Sequence, residues 1–435
     1  MSLSELTDRM RAEWNDRAAK DAHFYVAFGR ENQKEDDFLA TAAEVVPTLE
    51  MEFARLPPSA PAERRALEIG CGPGRLLLPM SRYFGEIHGV DVSEEMAALA
   101  RERLRNIPHA HVHATSGVDL HIFKDAYFDF VYSYIVFQHI PSQEIVLNYL
   151  REARRVLKPG GVLRCQIRGI APPESEMIKE NETWTGCYFT PDEVAAFARQ
   201  QSFPLVAISG LDTQYMWTTF RKPLLSEIDS AYQPERIVVN AITAANGPET
   251  RIPARGPNAA VSLWIDGMPQ TASLADCAVL FRDREQMGCY LSPVSASGAC
   301  QLNVILPGGI APGEYDVSAK FRGEAVAGVH RLTVIAPPPL SPRIVSVTDG
   351  INLTSPNVVE TGGAKVFIAD VMRPAQVAIT VAGRKPPYIN YRCENPITDT
   401  WEFSFHLAPE TPRGRQWLKV RVEGRELPPV ELQVL

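Results

Sequence analysis

The chain has 435 residues, of which 45% are apolar and 22% are charged, and its formal net charge is −8. This composition predicts several folded domains rather than a disordered chain. The acidic balance argues against broad binding to nucleic acid or to an anionic membrane surface, because both require a basic face.

The chain start and the cysteines indicate a cellular compartment. Residues 1–20 are charged and amphipathic and lack the apolar core of a signal peptide, and no apolar run reaches the length of about 18 residues that spans a bilayer. The seven cysteines are scattered and form no Cys-x-x-Cys pair, so neither a disulfide framework nor a zinc site is favoured. We expect a cytoplasmic protein without a membrane or nucleic-acid partner and without a bound metal.

The first half of the chain alternates strand-like and helix-like segments. This alternation predicts a parallel, doubly wound α/β sheet, with an antiparallel pair at its end. The predicted strands are Arg65–Ile69, Ile87–Asp91, Ala110–Ala114, Phe128–Ser133, Gly161–Ile167, Leu205–Ser209 and Gln214–Phe220, and the predicted helices are Gly74–Phe84, Glu94–Arg105, Ser142–Leu157 and Pro191–Gln201.

A glycine-rich turn follows the first predicted strand. In ALEIGCGPGR, the glycines at positions 70, 72 and 74 stand between that strand and a helix, two residues after Glu68. Glycine permits a tight turn and a close approach of a ligand to the backbone. The dinucleotide fingerprint G-x-G-x-x-G does not fit, because Arg75 takes the place of its last glycine.

This turn resembles the first motif of class I S-adenosylmethionine (SAM)-dependent methyltransferases, E/D-x-G-x-G-x-G. Three later segments are similar to motifs of the same family: DVSEEM at 91–96, FDFVYS at 128–133 and RVLKPGG at 155–161. The resemblance covers about residues 60–222. It implies SAM as the cofactor, with Asp91 on the ribose hydroxyls, at the spacing of one strand–helix–strand unit from Gly70.

The resemblance also implies the remaining cofactor contacts. Ser93 is expected to cap the helix that follows Asp91, and adenine is expected near the loop after the third strand. The expected cofactor residues are Glu68, Gly70, Gly72, Gly74, Asp91, Val92, Met96, Gly117, Val118 and Ser133.

His139 is the best candidate for a general base, because it follows the fourth strand at the carboxyl end of the sheet, where ligands bind. The alternative is that it orients the cofactor or caps the next turn. Several aromatic residues are candidates for stacking on a planar or sugar-like substrate, although ordinary packing explains each of them equally well. These candidates are Trp14, Tyr25, Trp184, Tyr188, Tyr215 and Trp217.

The composition changes at Lys222-Pro223. Proline, glycine and short alternating strands follow, which is typical of β-sandwiches. Gly313 and Gly323 bracket one alternating strand, Gly414 and Gly424 bracket a similar one 101 positions later, and VSLWIDG at 261–267 resembles VAITVAG at 377–383. These repeats indicate two tandem domains that resemble immunoglobulin-like sandwiches.

The sequence therefore predicts a helical lid at 1–60, a class I methyltransferase domain with a seven-stranded α/β sheet at 61–223, and all-β immunoglobulin-like sandwiches at 232–336 and 342–435. The expected reaction is methyl transfer to an oxygen or nitrogen atom of a small molecule, such as a sugar or a secondary metabolite. In the alternative function, the sandwiches bind a protein or a glycan, and the methyltransferase domain modifies what they hold. A homo-oligomer formed through the sandwiches is a further possibility.

Overall fold

The structure is a computed structural model that describes residues 2–27, 33–171, 183, 186–228, 234–350 and 355–435. The chain forms two compact units. The first comprises Met1–Lys20 and Thr41–Pro337, and the second comprises Asp21–Ala40 and Pro338–Leu435. Among the described residues, no helix is both long and apolar enough to cross a membrane.

The helices are few and mostly short. The α-helices are α1 Leu3–Val26, α2 Glu35–Ala40, α3 Val46–Glu50, α4 Leu77–Met80, α5 Glu94–Arg103, α6 Gln143–Val156, α7 Pro191–Gln200 and α8 Leu225–Ile228. The 3-10 turns are Thr41–Glu44, Met51–Arg55, Pro61–Glu63, Ser81–Tyr83, Phe137–His139, Pro234–Arg236, Leu274–Asp276 and Pro374–Gln376. Helix α1 has a non-helical backbone at Asp21, and this kink coincides with the division between the two units.

The first seven strands form the predicted α/β sheet. They are β1 Arg65–Ile69, β2 Glu86–Asp91, β3 Ala110–Ala114, β4 Phe128–Ser133, β5 Leu157–Ile167, β6 Leu205–Ser209 and β7 Met216–Arg221. Their order is β3-β2-β1-β4-β5-β7-β6. Strands β1 to β5 run parallel, whereas β7 is antiparallel to both β5 and β6.

Alternating side chains bury both faces of this sheet. Leu67, Val131 and Leu163 face one apolar cluster, and their chain neighbours Ala66, Phe130 and Val162 face another. The second cluster includes Val46 and Leu49 of α3, so the segment before β1 covers this side of the sheet. Burial on both faces is typical of a parallel sheet.

The helix predicted over Gly74–Phe84 is wrong in length. The chain turns from Gly72 to Leu76, and only α4 and the 3-10 turn after it are helical. Pro79 lies inside this segment, where it lacks an N–H group and disfavours a long helix. The helix predicted from Ser142 is confirmed as α6, and Ser142 Oγ accepts the Ile145 amide at 3.4 Å.

The sheet continues past β6 into the segment after the composition change. The strands of this segment, called the first β domain, are β8 Val238–Ala244, β9 Arg251–Pro253, β10 Ala260–Asp266, β11 Cys277–Phe281, β12 Arg284–Met287, β13 Tyr290–Leu291, β14 Cys300–Ile305, β15 Gly313–Phe321, β16 Glu324–Ala325 and β17 His330–Ile335. Strand β13 pairs antiparallel with β6 at Tyr290 and Ala207, and β14, β10 and β8 follow in order. A second sheet of the first β domain has the order β12-β11-β15-β17-β9, with β16 against β15.

Polar contacts reinforce the junction between β6 and the first β domain. Buried Arg55 donates from Nη1 to the Leu291 carbonyl at 2.8 Å, and Ser273 Oγ accepts the Leu205 amide at 3.0 Å. One apolar cluster extends through both parts. The composition change at Lys222-Pro223 therefore does not coincide with a boundary between the compact units, which lie after Lys20, Ala40 and Pro337.

The second compact unit contains two further sheets. Their strands are β18 Arg343–Asp349, β19 Val358–Val359, β20 Gly363–Ala369, β21 Val377–Val381, β22 Ile389–Asn395, β23 Thr400–His406, β24 Gly414–Val422, β25 Arg425–Glu426 and β26 Val430–Val434. The sheet orders are β18-β20-β23-β22 and β19-β26-β24-β21, with β25 against β24. Val366 and Phe403 of the first of these sheets share a buried cluster with Leu418 and Leu432 of the second.

The two strands that glycines bracket in the sequence, β15 and β24, have equivalent neighbours in their sheets. Strand β15 pairs with β11, β16 and β17, and β24 pairs in the same way with β21, β25 and β26. The resemblance of VSLWIDG to VAITVAG is misleading, because it joins β10 to β21. In this topology, β21 corresponds to β11, and β10 corresponds to β20.

Candidate active site

The glycine turn after β1 has the backbone conformation that its sequence predicts. Gly70, Gly72 and Gly74 have φ values of +72°, +51° and +83°, in the left-handed region that favours glycine. A Cβ atom on Gly70 would lie 2.3 Å from Val136 Cγ2. The turn therefore packs directly on the segment that follows β4.

Asp91 ends β2 beside this turn. Its Oδ2 accepts the Gly72 amide at 2.8 Å, and its Oδ1 accepts the Ser93 amide at 2.9 Å. Burial raises the pKa of Asp91 to about 6, although these amide hydrogen bonds oppose the rise. Each carboxylate oxygen has a second lone pair, so the oriented carboxylate retains the capacity to accept a pair of hydroxyl groups.

The residues after Asp91 form the predicted helix start. Ser93 Oγ accepts the Met96 amide at 3.1 Å, as expected of an N-cap. The Met96 side chain is buried. A Cβ atom on Gly117 would lie 2.6 Å from Val92 Cγ2. The structure therefore brings the expected cofactor residues Val92 and Gly117 into contact beside Asp91.

Backbone amides of the loop after β3 have hydrogen-bond partners within the protein. The Thr115 amide donates to the Asp91 carbonyl at 2.9 Å, and the Val118 amide donates to Ser116 Oγ at 3.3 Å. The Val118 amide, expected to face adenine, thus has a partner within the loop. Arg11 of α1 donates from Nη2 to the Ser116 carbonyl at 3.4 Å, a contact that the sequence did not predict.

Glu68 and Ser133 lie on the neighbouring strands β1 and β4. Glu68 Oε2 accepts the Tyr132 hydroxyl at 3.1 Å. Burial raises the pKa of Glu68 to about 8, and the Tyr132 hydrogen bond opposes the rise. Ser133 Oγ donates to the Ile69 carbonyl at 2.9 Å, so this hydroxyl links β4 to β1.

His139 lies on the 3-10 turn that follows β4 and is half-buried. The Trp14 indole meets its ring edge-on, with ring centroids 5.6 Å apart and an interplanar angle of 74°. Arg17 lies over the Trp14 ring at 4.8 Å. Helix α1 therefore reaches the turn that carries His139, which is the position expected of a lid.

Two side chains hold α1 at this place. Glu13 accepts the Thr183 hydroxyl at 2.6 Å, and Arg17 donates to the same hydroxyl oxygen at 2.8 Å. The chain then returns beside His139, where the Gly186 amide donates to the Gln138 carbonyl at 2.7 Å. Sequence analysis did not identify Glu13, Arg17 or Thr183, because their contact joins residues about 170 positions apart.

The aromatic residues that were expected to contact the substrate lie in different parts of the structure. Trp217 stacks on Tyr134 at 5.5 Å between ring centroids, and Tyr215 is half-buried in the turn before β7. Tyr188 is 38% exposed. Tyr25 belongs to the second compact unit, where its ring meets Phe24 at 5.2 Å, and Trp184 lies outside the described residues.

Arg75, which sequence analysis considered only as a departure from the dinucleotide fingerprint, directly follows the glycine turn. It is 5% exposed, and its Nη1 donates to Thr41 Oγ1 at 3.0 Å. The guanidinium lies over Tyr134 at 5.4 Å, and burial lowers its pKa. Beyond Tyr134, Arg164 lies over Trp217 at 4.6 Å. These four side chains form one cation–aromatic column along the sheet.

Strand pairing brings together potential metal ligands that the sequence analysis did not group. Parallel pairing of β2 and β3 places His88 opposite His111. Ligand atoms of Glu86, His88 and His111 all lie within 4.8 Å of one another. The sequence shows no compact spacing for this cluster, because strand pairing rather than proximity in the chain assembles it.

Comparisons with known proteins agree with the resemblance seen in the sequence. Residues 67–165 match the family model described as methyltransferase domain. A ubiquinone biosynthesis O-methyltransferase of Roseobacter denitrificans is 32% identical over 34% of this chain and 62% of its own length. Phosphoethanolamine N-methyltransferase 2 of Caenorhabditis elegans is 29% identical over 41% of this chain and 40% of its own length.

Among solved structures, geranyl diphosphate C-methyltransferase from Streptomyces coelicolor has 15% sequence identity and a TM-score of 0.37, covering 50% of this chain and 98% of that one. This chain spans about three fifths and two fifths of the lengths of the two curated relatives. Residues 67–165 are thus similar to a methyltransferase domain, and the matches do not establish the acceptor.

Proposed function

We propose that this protein transfers a methyl group from SAM to an oxygen or nitrogen atom of a small molecule. One observation carries the proposal: the Asp91 carboxylate is held by the amides of Gly72 and Ser93 at the carboxyl edge of a doubly wound sheet. Ligands of such sheets bind at this edge. The methyltransferase match over residues 67–165 includes this segment.

The residues present fit the cofactor. The free lone pairs of Asp91 would accept the two ribose hydroxyls. The left-handed glycines at 70, 72 and 74 leave the backbone of the turn open to close approach, and Glu68 lies buried beneath that turn. When bound, SAM supplies an activated methyl group on a sulfonium, so the protein chiefly has to position the acceptor in line with it.

In this proposal, His139 removes a proton from an acceptor hydroxyl or amine. Its turn is connected to the glycine turn through Val136, which packs on Gly70. Trp14 lies against the imidazole ring and would exclude water while limiting the orientations of that ring. A base is required only where the attacking atom carries a proton that must leave.

The proposal includes both an oxygen and a nitrogen nucleophile as the acceptor atom. The two relatives are named as an O-methyltransferase and an N-methyltransferase, so their names favour neither atom. Half-buried Trp14 would provide a flat apolar surface beside His139, whereas Tyr134 and Trp217 stack on each other and on Arg75 and Arg164. The flat surface of Trp14 favours a planar or ring-containing acceptor.

The test is an acceptor screen with the full chain. SAM labelled in its methyl group is incubated with separate pools of phenols, sugars and amines, and mass spectrometry detects labelled products. The proposal predicts a labelled product in at least one pool, with the loss of that product in the Asp91→Ala variant. Binding of SAM without transfer to any pool would contradict a small-molecule acceptor of these classes.

A further inference from the structure

Four potential metal ligands share one face of the edge of the α/β sheet. Glu86 and His88 lie two positions apart on β2, and His111 and His113 lie two positions apart on β3, which is the edge strand. The register pairs His88 with His111 and Val90 with His113. Residues two apart on a strand face the same side, so the carboxylate and the three imidazoles lie together.

The ligand atoms of this cluster converge. One ligand atom each of Glu86, His88 and His111 lies within 4.8 Å of the others. His88 Nε2 lies 2.6 Å from Glu86 Oε1, and His88 Nδ1 lies 3.2 Å from His113 Nε2. His88 therefore connects the carboxylate on one side of its ring to a second imidazole on the other.

Two further side chains contact Glu86. Its Oε1 accepts the Tyr127 hydroxyl at 2.5 Å, and its Oε2 accepts Arg65 Nε at 2.9 Å. These contacts orient the carboxylate, whose Oε1 also faces His88 Nε2. Metal binding through His88 Nε2 requires that this nitrogen carries no proton.

We propose that Glu86 Oε1, His88 Nε2 and His111 bind one zinc-class divalent ion, with water completing the coordination. Imidazole with a carboxylate is a ligand set that suits Zn²⁺ and related first-row ions, whereas Mg²⁺ prefers oxygen ligands alone. His111 is exposed and provides access from solvent. Because the ligand atoms of tetrahedral zinc lie about 3.3 Å apart, Glu86 Oε1 and His88 Nε2 would separate by about 0.7 Å from their distance of 2.6 Å.

His113 acts in this site as an outer partner. A histidine that binds a metal through one ring nitrogen usually donates the N–H of its other nitrogen to a neighbour. His88 Nδ1 already faces His113 Nε2 at 3.2 Å, so a shift of tautomer lets His88 Nδ1 donate to His113. The ion would tie edge strand β3 to β2, whose last residue, Asp91, lies three positions after His88.

The experiment is calorimetric titration of the chelator-treated full chain with Zn²⁺ and, separately, with Mg²⁺. We expect one zinc ion per chain and no heat from Mg²⁺. His111→Ala should weaken zinc binding at least about tenfold, and His113→Ala by about 10- to 100-fold. His121→Ala is the matched control, because His121 is an exposed histidine paired with Asp119 outside the cluster.

Thermal unfolding gives a second readout. Zinc should raise the melting temperature of the wild type and of His121→Ala, but not that of His111→Ala. All variants retain the seven cysteines, so zinc captured by thiols would bind them equally. Equal affinity of His111→Ala and the wild type, or no zinc uptake by the wild type at about 100 µM, overturns the proposal.

Discussion

The main-chain amide of Gly72 donates a 2.8 Å hydrogen bond to Oδ2 of Asp91. This bond joins the glycine turn after β1 to the acidic end of β2, and the Ser93 amide holds the other carboxylate oxygen. These two hydrogen bonds therefore fix the glycine turn relative to the end of β2. Such an arrangement reduces the ordering that SAM must impose when it binds.

SAM affinity should depend on pH through Asp91. Its pKa is raised to about 6, so the carboxylate that accepts the ribose hydroxyls is largely protonated below that pH. We expect SAM to bind about tenfold more weakly at pH 5 than at pH 7. Calorimetry across this range provides the measurement. Asp91→Asn should have a flat profile, and a wild-type affinity that is constant from pH 5 to 7 would contradict the role of Asp91.

Gly70→Ala should disturb the cofactor turn. The new Cβ would meet Val136 Cγ2 at 2.3 Å, and φ is +72° at this residue. A non-glycine residue in this backbone region costs about 1–3 kcal/mol, so SAM affinity should fall by up to about 5- to 150-fold. Gly308→Ala is the control, because its Cβ would have no neighbour within 4 Å. Equal SAM affinity in the two variants would exclude the turn from the site.

His139→Ala should lower turnover and leave SAM binding nearly unchanged. Loss of a general base costs about 10²- to 10⁴-fold in rate, and the edge-on contact with Trp14 places His139 beneath α1. Steady-state kinetics and SAM calorimetry on the same variant separate the two effects. A loss confined to SAM affinity would make His139 a cofactor ligand, and no change in either quantity would make it structural.

Chains shortened at the two candidate boundaries should behave differently. A chain that ends at Pro337 keeps β13 against β6 and should bind SAM as the full chain does. A chain that ends at Pro223 loses the Leu291 carbonyl that buried Arg55 contacts and the Ser273 hydroxyl that holds Leu205. We expect it to be insoluble or less stable in thermal unfolding.

Full solubility and unchanged stability of the chain ending at Pro223 would show that the first β domain is an independent module. Binding of a protein or a glycan, or oligomerisation, through the β domains stays a prediction. Two quantities of the chain ending at Pro337 test this prediction: acceptor turnover and the oligomeric state in solution. If the removed β domain binds a partner or forms an oligomer, at least one of them should differ from that of the full chain.

Local patterns predicted the first half of the fold well. The bounds of β1, β3, β4 and β6 agree with the prediction, because alternation of apolar runs with turn residues is a local signal. The capping of α5 by Ser93 follows from the same kind of short-range chemistry. The helix predicted over Gly74–Phe84 is too long. Pro79 disfavours a long helix there, and α4 spans only Leu77–Met80.

Long-range contacts were not predictable from the sequence. Pairing of β6 with β13, the convergence of Glu86 with His111, and the contact of Arg11 with Ser116 join segments that no local pattern connects. Only strand order and helix placement bring such residues together. For this reason the sequence identified Asp91, which belongs to a short motif, and missed Arg11, which contacts the loop after β3 from α1.

The most direct test of the cofactor site is calorimetric SAM affinity of wild type and Asp91→Ala. Charge-assisted hydrogen bonds contribute about 1.5–3 kcal/mol, so we predict that Asp91→Ala binds SAM about 10- to 100-fold more weakly. Asp125→Asn, which changes a largely exposed acid paired with Arg155, should match the wild type. Wild-type affinity in a folded Asp91→Ala protein would contradict the assignment of this edge of the sheet as the SAM site.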